Sequence, residues 1–143
     1  MGKLSGKCLC GDVAFKVEAP THLDSCHCGQ CRRWSGSPNM SLDFTQVEFD
    51  SEKSLKWYRS SDWAERGFCG TCGSSLFYRL VEDPAKMTVC AGAVDGIGSD
   101  VKITKEFFID EKPGFYDLAG ERERLTGAEV FALFGVEEDQ DDR

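Results

Sequence analysis

Apolar and polar residues alternate along this chain in short runs: Val13, Phe15 and Val17; Met40, Leu42 and Phe44; Val47 and Phe49; Leu55 and Trp57; Leu76, Tyr78 and Leu80; Met87 and Val89. A period of two puts every second side chain on one face of a sheet, so these runs predict half-buried strands. Glycine-rich or polar breaks at 70–75 and 92–100 separate them, and the 92–99 stretch reads as a flexible loop. No central segment sustains a 3.6-residue period, which predicts a mainly β, largely antiparallel domain. One short helix is expected near the C-terminus: Thr126 and Glu129 have the capping-box spacing, and Val130, Leu133 and Phe134 then share a helical face. The acidic residues 137–142 read as frayed, solvent-facing chain.

Composition narrows the class. A length of 143 residues and 15.9 kDa fits a single domain, 1–143, with no internal repeat or linker. The 41% hydrophobic and 29% charged residues describe a soluble globular protein and exclude disorder, collagen and a membrane bundle. A formal charge of −8 repels phosphate backbones, which speaks against nucleic acid or an anionic membrane as partner. The first ten residues hold no apolar run of the roughly 7 to 15 residues of a signal peptide. The apolar patch 130–134 is far short of the roughly 20 residues of a spanning helix. A cytoplasmic protein is expected.

In a reducing compartment closely spaced cysteines are metal ligands or redox centres more readily than disulfides. Seven of the eight cysteines form three clusters: Cys8 and Cys10; Cys26, Cys28 and Cys31; Cys69 and Cys72. Tetrahedral zinc with bonds of about 2.3 Å needs closely spaced sulfurs, and pairs one or two residues apart on a tight turn supply them. Gly70 and Gly73 permit positive φ around the third cluster, so that amides can face the thiolates, and Gly11 and Gly29 follow Cys10 and Cys28. A closed structural zinc wants four ligands, which Cys8, Cys10, Cys69 and Cys72 provide. Cys26, Cys28 and Cys31 then hold a second zinc whose fourth position is open, the mark of a catalytic site.

Other readings stand beside this one. Cys69 and Cys72 alone would suit a redox dithiol. Cys90, His27 or His22 would close the triple cluster into a second structural site, although Cys90, within 87–91, also reads as a small buried core thiol. His27 lies between two proposed ligands, so its ring is expected to point away from the metal and to serve as a supporting or acid/base group. Arg32, Arg33, Trp34, Ser35, Gly36 and Ser37 form a cationic and aromatic patch in an acidic protein, which suggests an anionic ligand gripped by arginine with Trp34 covering an apolar stem. Arginines that merely balance nearby acids are the plainer interpretation.

The segments 6–11 running into strand 12–17, 26–36 and 66–77, with their cysteines in order and spacing, resemble the glutathione-dependent formaldehyde-activating enzyme family, which includes centromere protein V; the similarity covers roughly residues 3–116. The resemblance implies an antiparallel β-tent with paired cysteines as structural zinc ligands and the triple as a catalytic-type zinc, two zincs per chain. It also implies carbon–sulfur lyase chemistry that makes or breaks S-hydroxymethylglutathione from formaldehyde and glutathione. In that scheme Cys26, Cys28 and Cys31 bind metal, Arg32 and Arg33 contact a carboxylate, and His27 shuttles a proton. The family's late His-Ile-Phe-Val type segment, followed by Lys and Trp, corresponds here to 106–116: Glu106 replaces the histidine, and Phe115 or Tyr116 takes the Trp position as packing. The competing class is a non-catalytic, zinc-stabilised protein-binding module; a thiol–disulfide oxidoreductase ranks last, since sulfurs committed to zinc are poor redox centres.

Overall fold

The structure, a computed structural model, describes residues 2–135. The acidic stretch 137–142 lies outside the described residues. The chain is mainly β, with two short helices. In order it forms β1 (Lys3–Lys7), β2 (Val13–Glu18), β3 (Leu23–Cys26), α1 (Gly29–Ser35), β4 (Asn39–Gln46), β5 (Glu48–Glu52), β6 (Leu55–Arg59), β7 (Ala64–Cys69), β8 (Ser75–Leu80), β9 (Asp83–Cys90), β10 (Ile103–Phe107), β11 (Glu123–Leu125) and α2 (Gly127–Phe134).

Two sheets result. A three-stranded antiparallel sheet runs β1-β2-β5, and an eight-stranded sheet runs β11-β10-β3-β4-β9-β8-β7-β6. The second is antiparallel except at β10, which pairs parallel to both β3 and β11. The alternation in β2 is clean: Val13, Phe15 and Val17 are buried and Phe15 meets Phe77 edge-on at 5.1 Å. Leu42, Leu76, Met87 and Val89 complete the core with Cys8 and Cys69. Strict alternation fails in β8, where both Leu76 and Phe77 are buried while Tyr78 and Leu80 are only half-buried. The β7–β8 register shifts between Gly67 and Phe68, and this central strand is covered on both faces.

Pairing of β1 with β2 depends on Gly6, which lies opposite Phe15 in the same sheet. A Cβ there would lie 2.5 Å from the Phe15 ring, so only glycine lets β1 cross that residue. The 92–99 stretch is anchored rather than free at its start: a 3-10 turn spans Ala91–Ala93, Val94 is buried and bridges Gly6, and the Asp95 amide donates to the Ser5 carbonyl at 2.8 Å. The expected C-terminal helix is α2. Its capping box is complete: the Glu129 amide donates to Thr126 Oγ1 at 3.2 Å and the Thr126 amide to Glu129 Oε1 at 2.9 Å. Phe131 of α2 packs between Trp63 and Phe108. Among the described residues no helix is long and apolar enough to cross a membrane.

Candidate metal centres

Two cysteine groups assemble at the ends of strands. Cys8 follows β1 and Cys10 sits on the turn into β2, where Gly11 adopts φ +86°; Cys69 ends β7 and Cys72 sits on the turn into β8, where Gly73 adopts φ +80°. Gly70 is not left-handed; a Cβ there would instead run into the Lys56 side chain at 2.8 Å. The four sulfurs lie within 4.8 Å of one another, with Cys10 Sγ 3.7 Å from both Cys8 Sγ and Cys69 Sγ. Amides face them as the knuckle geometry predicts: Val13 N–H points at Cys8 Sγ at 3.3 Å and Cys72 N–H at Cys69 Sγ at 3.4 Å. The Ser74 hydroxyl, helped by backbone hydrogen bonds at Ser74 and Cys10, brings the Cys72 thiol down to about 5. Four sulfurs at this spacing repel as thiolates unless a cation sits among them, and their donor set suits zinc.

The second group is built by β3 and α1. Cys26 ends β3, Cys28 is the N-cap of α1 with its sulfur facing the Cys31 amide at 3.4 Å, and Cys31 lies buried on the helix. Gly36 closes the seven-residue helix in the left-handed conformation, its amide donating to the Arg32 carbonyl. Contacts with Cys26 and Cys28, together with Arg66, hold Cys31 well below the ordinary thiol value, whereas contacts with Cys28 and Cys31 and burial push Cys26 well above it. The three sulfurs lie within 4.8 Å of one another, and among the described residues no fourth His, Cys, Asp or Glu joins them. Each residue that the sequence offered as a fourth ligand is engaged elsewhere. Cys90 donates to Asn39 Oδ1 at 3.5 Å, His22 groups with Asp24 and Asp43, and His27 turns away.

His27 is fully buried, its Nε2 2.8 Å from Glu106 Oε1 and its Nδ1 2.8 Å from the Tyr116 hydroxyl. Glu106 is also buried, and its other oxygen takes Arg122 Nη1 at 2.6 Å and Arg124 Nε at 3.0 Å. Burial works against its charge, yet hydrogen bonds from Arg122 and His27 and the charge of Arg124 hold the carboxyl below its ordinary value. An ionised Glu106 accepts from Nε2–H, which assigns the tautomer and leaves Nδ1 to Tyr116. Tyr116 is therefore a polar participant rather than packing, and Phe115 beside it is 84% exposed.

Two adjoining cavities take residues of α1 into their walls, and none of Cys26, Cys28 and Cys31 lines either of them. One, about 640 Å³, runs from Ser35 and Asn39 past Cys90 to Phe115 and Tyr116; the other, about 320 Å³, is lined by Arg32, Arg33, Gly36, Ser37, Phe115 and Tyr116. Arg32 Nε donates to the His27 carbonyl at 2.9 Å, which ties one cationic wall to the cluster. Trp34 lines neither cavity; it packs edge-on against Phe68 at 5.7 Å. Three participants carried no sequence signal of their role: Glu106 with its arginines, Tyr116, and Arg66, whose Nη1 and Nη2 each lie 3.6 Å from Cys31 Sγ.

Comparison with known proteins agrees with this arrangement. The family model described as "Glutathione-dependent formaldehyde-activating enzyme" matches residues 3–111, a span that contains all three cysteine clusters. A Schizosaccharomyces pombe protein named an uncharacterized lyase is 35% identical over 133 residues, covering 91% of this chain and 96% of that protein. A crystal structure of a Rhodobacter sphaeroides protein shares the fold at a TM-score of 0.55 and 22% identity, covering 70% of this chain and 99% of that one. With its cysteine groups assembled and three-quarters of its length matched by the family model, the chain belongs to the glutathione-dependent formaldehyde-activating enzyme family.

Proposed function

We propose that the chain is a single-domain, β-tent, zinc-dependent carbon–sulfur lyase that acts on a thiol adduct such as S-hydroxymethylglutathione, the adduct of glutathione and formaldehyde. The observation that carries this reading is the three-sulfur group, which among the described residues has no fourth protein donor; Arg32 of α1, tied to the His27 carbonyl, lines a cavity with Arg33 and Tyr116. Cys8, Cys10, Cys69 and Cys72 would hold a structural zinc and Cys26, Cys28 and Cys31 the second. When bound in the three-thiolate set, zinc supplies a Lewis acid that lowers the pKa of a thiol. Free thiols at these distances suit a reducing, cytoplasmic setting.

The remaining work falls to side chains of this chain. Arg32 and Arg33 bind carboxylates of the thiol, guanidinium to carboxylate, and so orient its sulfur. Glu106, fixed by Arg122 and Arg124, keeps the proton on His27 Nε2. Nδ1 then exchanges a proton with the Tyr116 hydroxyl, which opens on the cavities.

The test is zinc content per chain together with formation and breakdown of S-hydroxymethylglutathione by wild type and Cys28→Ser. Two zincs, turnover by wild type and loss of turnover in a folded Cys28→Ser variant are expected. A wild-type chain with both zincs and no turnover on any glutathione adduct would favour the non-catalytic, zinc-stabilised protein-binding module.

A further inference from the structure

Arg66 is a buried cation with no carboxylate against it among the described residues. It lies on β7 opposite Tyr78 of β8, is 4% exposed, and its guanidinium sits 5.0 Å over the Tyr78 ring. Neither terminal nitrogen meets an acid among the described residues; both point at Cys31 Sγ, at 3.6 Å. Its Nε is buried with no hydrogen-bond partner. Burying a guanidinium this completely is costly unless an anion lies against it, and among the described residues the partner of its terminal nitrogens is the sulfur of Cys31. The field of Arg66 also reaches the cavity wall: burial raises the Cys90 thiol to about 11, and Arg66 opposes that rise.

Charge counting gives this placement a consequence. A zinc dication among three thiolates carries one net negative charge, and a thiolate arriving as fourth ligand makes it two. Uncompensated, that second charge is expensive in a buried site, whereas a neutral ligand adds none. We propose that Arg66 is the fixed counter-charge of the Cys26–Cys28–Cys31 centre and biases its open position toward anionic, thiolate-type ligands over neutral ones. The inference rests on the zinc reading above. Arg66 acts through Cys31 and is a positioning residue: the paired N–H contacts draw electron density from that sulfur and offset the charge that the incoming ligand brings.

The experiment uses the full chain with zinc exchanged for cobalt. Metal per chain is counted, and thiocyanate, as an anionic ligand, and imidazole, as a neutral one, are each titrated while the visible cobalt bands are followed. Arg66→Lys keeps the charge, and Arg66→Gln keeps a donor but loses it. Relative to imidazole, thiocyanate binding is expected to weaken about 10- to 100-fold in Arg66→Gln, the usual range for groups that support metal ligands, and to be largely retained in Arg66→Lys. Metal retained by the four-cysteine site reports that each variant is folded, and Arg66→Met serves as a second neutral variant. An unchanged thiocyanate-to-imidazole preference in a folded neutral variant overturns the role of Arg66 and leaves the zinc reading intact. A wild-type chain that loads cobalt at the four-cysteine site only overturns the zinc reading, and this role with it.

Discussion

Glu106 sets the electrostatics around His27. One carboxylate oxygen takes His27 Nε2, the other takes two arginines, and the side chain is 1% exposed. Replacing it by Gln leaves Arg122 and Arg124 facing a neutral amide. Because Arg124 keeps a third of its side chain in water, the cost falls below that of a fully buried broken pair, at about 2 kcal/mol. A carboxyl held below its ordinary value of 4.5 stabilises the folded chain above that pH, and the contribution is lost as pH falls through the lowered value. The melting-temperature gap between wild type and Glu106→Gln should therefore be full at neutral pH and narrow below about pH 4.5. A gap constant with pH would mean that Glu106 is not ionised in the fold. At this scale the sequence was legible for cysteines, whose spacing carries meaning locally. It was silent on the surroundings of His27, because Glu106 and Tyr116 lie 79 and 89 positions away.

The short elements present the site, and their capping is local chemistry. Helix α1 is seven residues long with Cys31 as its buried residue, too short to display an amphipathic period, which is why alternation and periodicity passed over it. Its N-cap is Cys28, a position where serine is normally preferred. Cys28→Ser thus removes a candidate metal ligand while preserving the cap. The melting temperature should change by a few degrees at most as turnover and the second metal are lost; circular dichroism and metal analysis on the same sample check both. Helix α2, by contrast, was announced by Thr126 and Glu129, and both reciprocal bonds of the box are present. Thr126→Ala removes the hydroxyl acceptor for Glu129 N–H and should cost about 1 kcal/mol, measured by urea denaturation; no change in midpoint would mean that tertiary packing of Phe131 alone holds the helix.

Across the whole molecule, the four-cysteine group ties the turn after β1 to the turn after β7, joining segments 59 positions apart in the Cys10–Cys69 contact. Closing so long a loop is entropically unfavourable, and a metal held there would supply free energy to the fold itself. Chelation should therefore act in two stages, with loss of turnover on removal of the three-cysteine metal and cooperative unfolding on removal of the four-cysteine one. Thiol titration against circular dichroism separates the stages; unfolding that accompanies the first metal would assign the three-cysteine group a structural role. The sequence by itself determined the strand faces of β2 and β9, the cap of α2 and the cysteine pairs, because alternation, capping and knuckle spacing are governed by residues a few positions apart. Only the tertiary structure decided that β10 lies parallel between β3 and β11, bringing Glu106 to His27, and that β7 delivers Arg66 to Cys31. Those encounters depend on the order and register of strands far apart in the chain, and no local pattern of side chains encodes which buried charge will meet which.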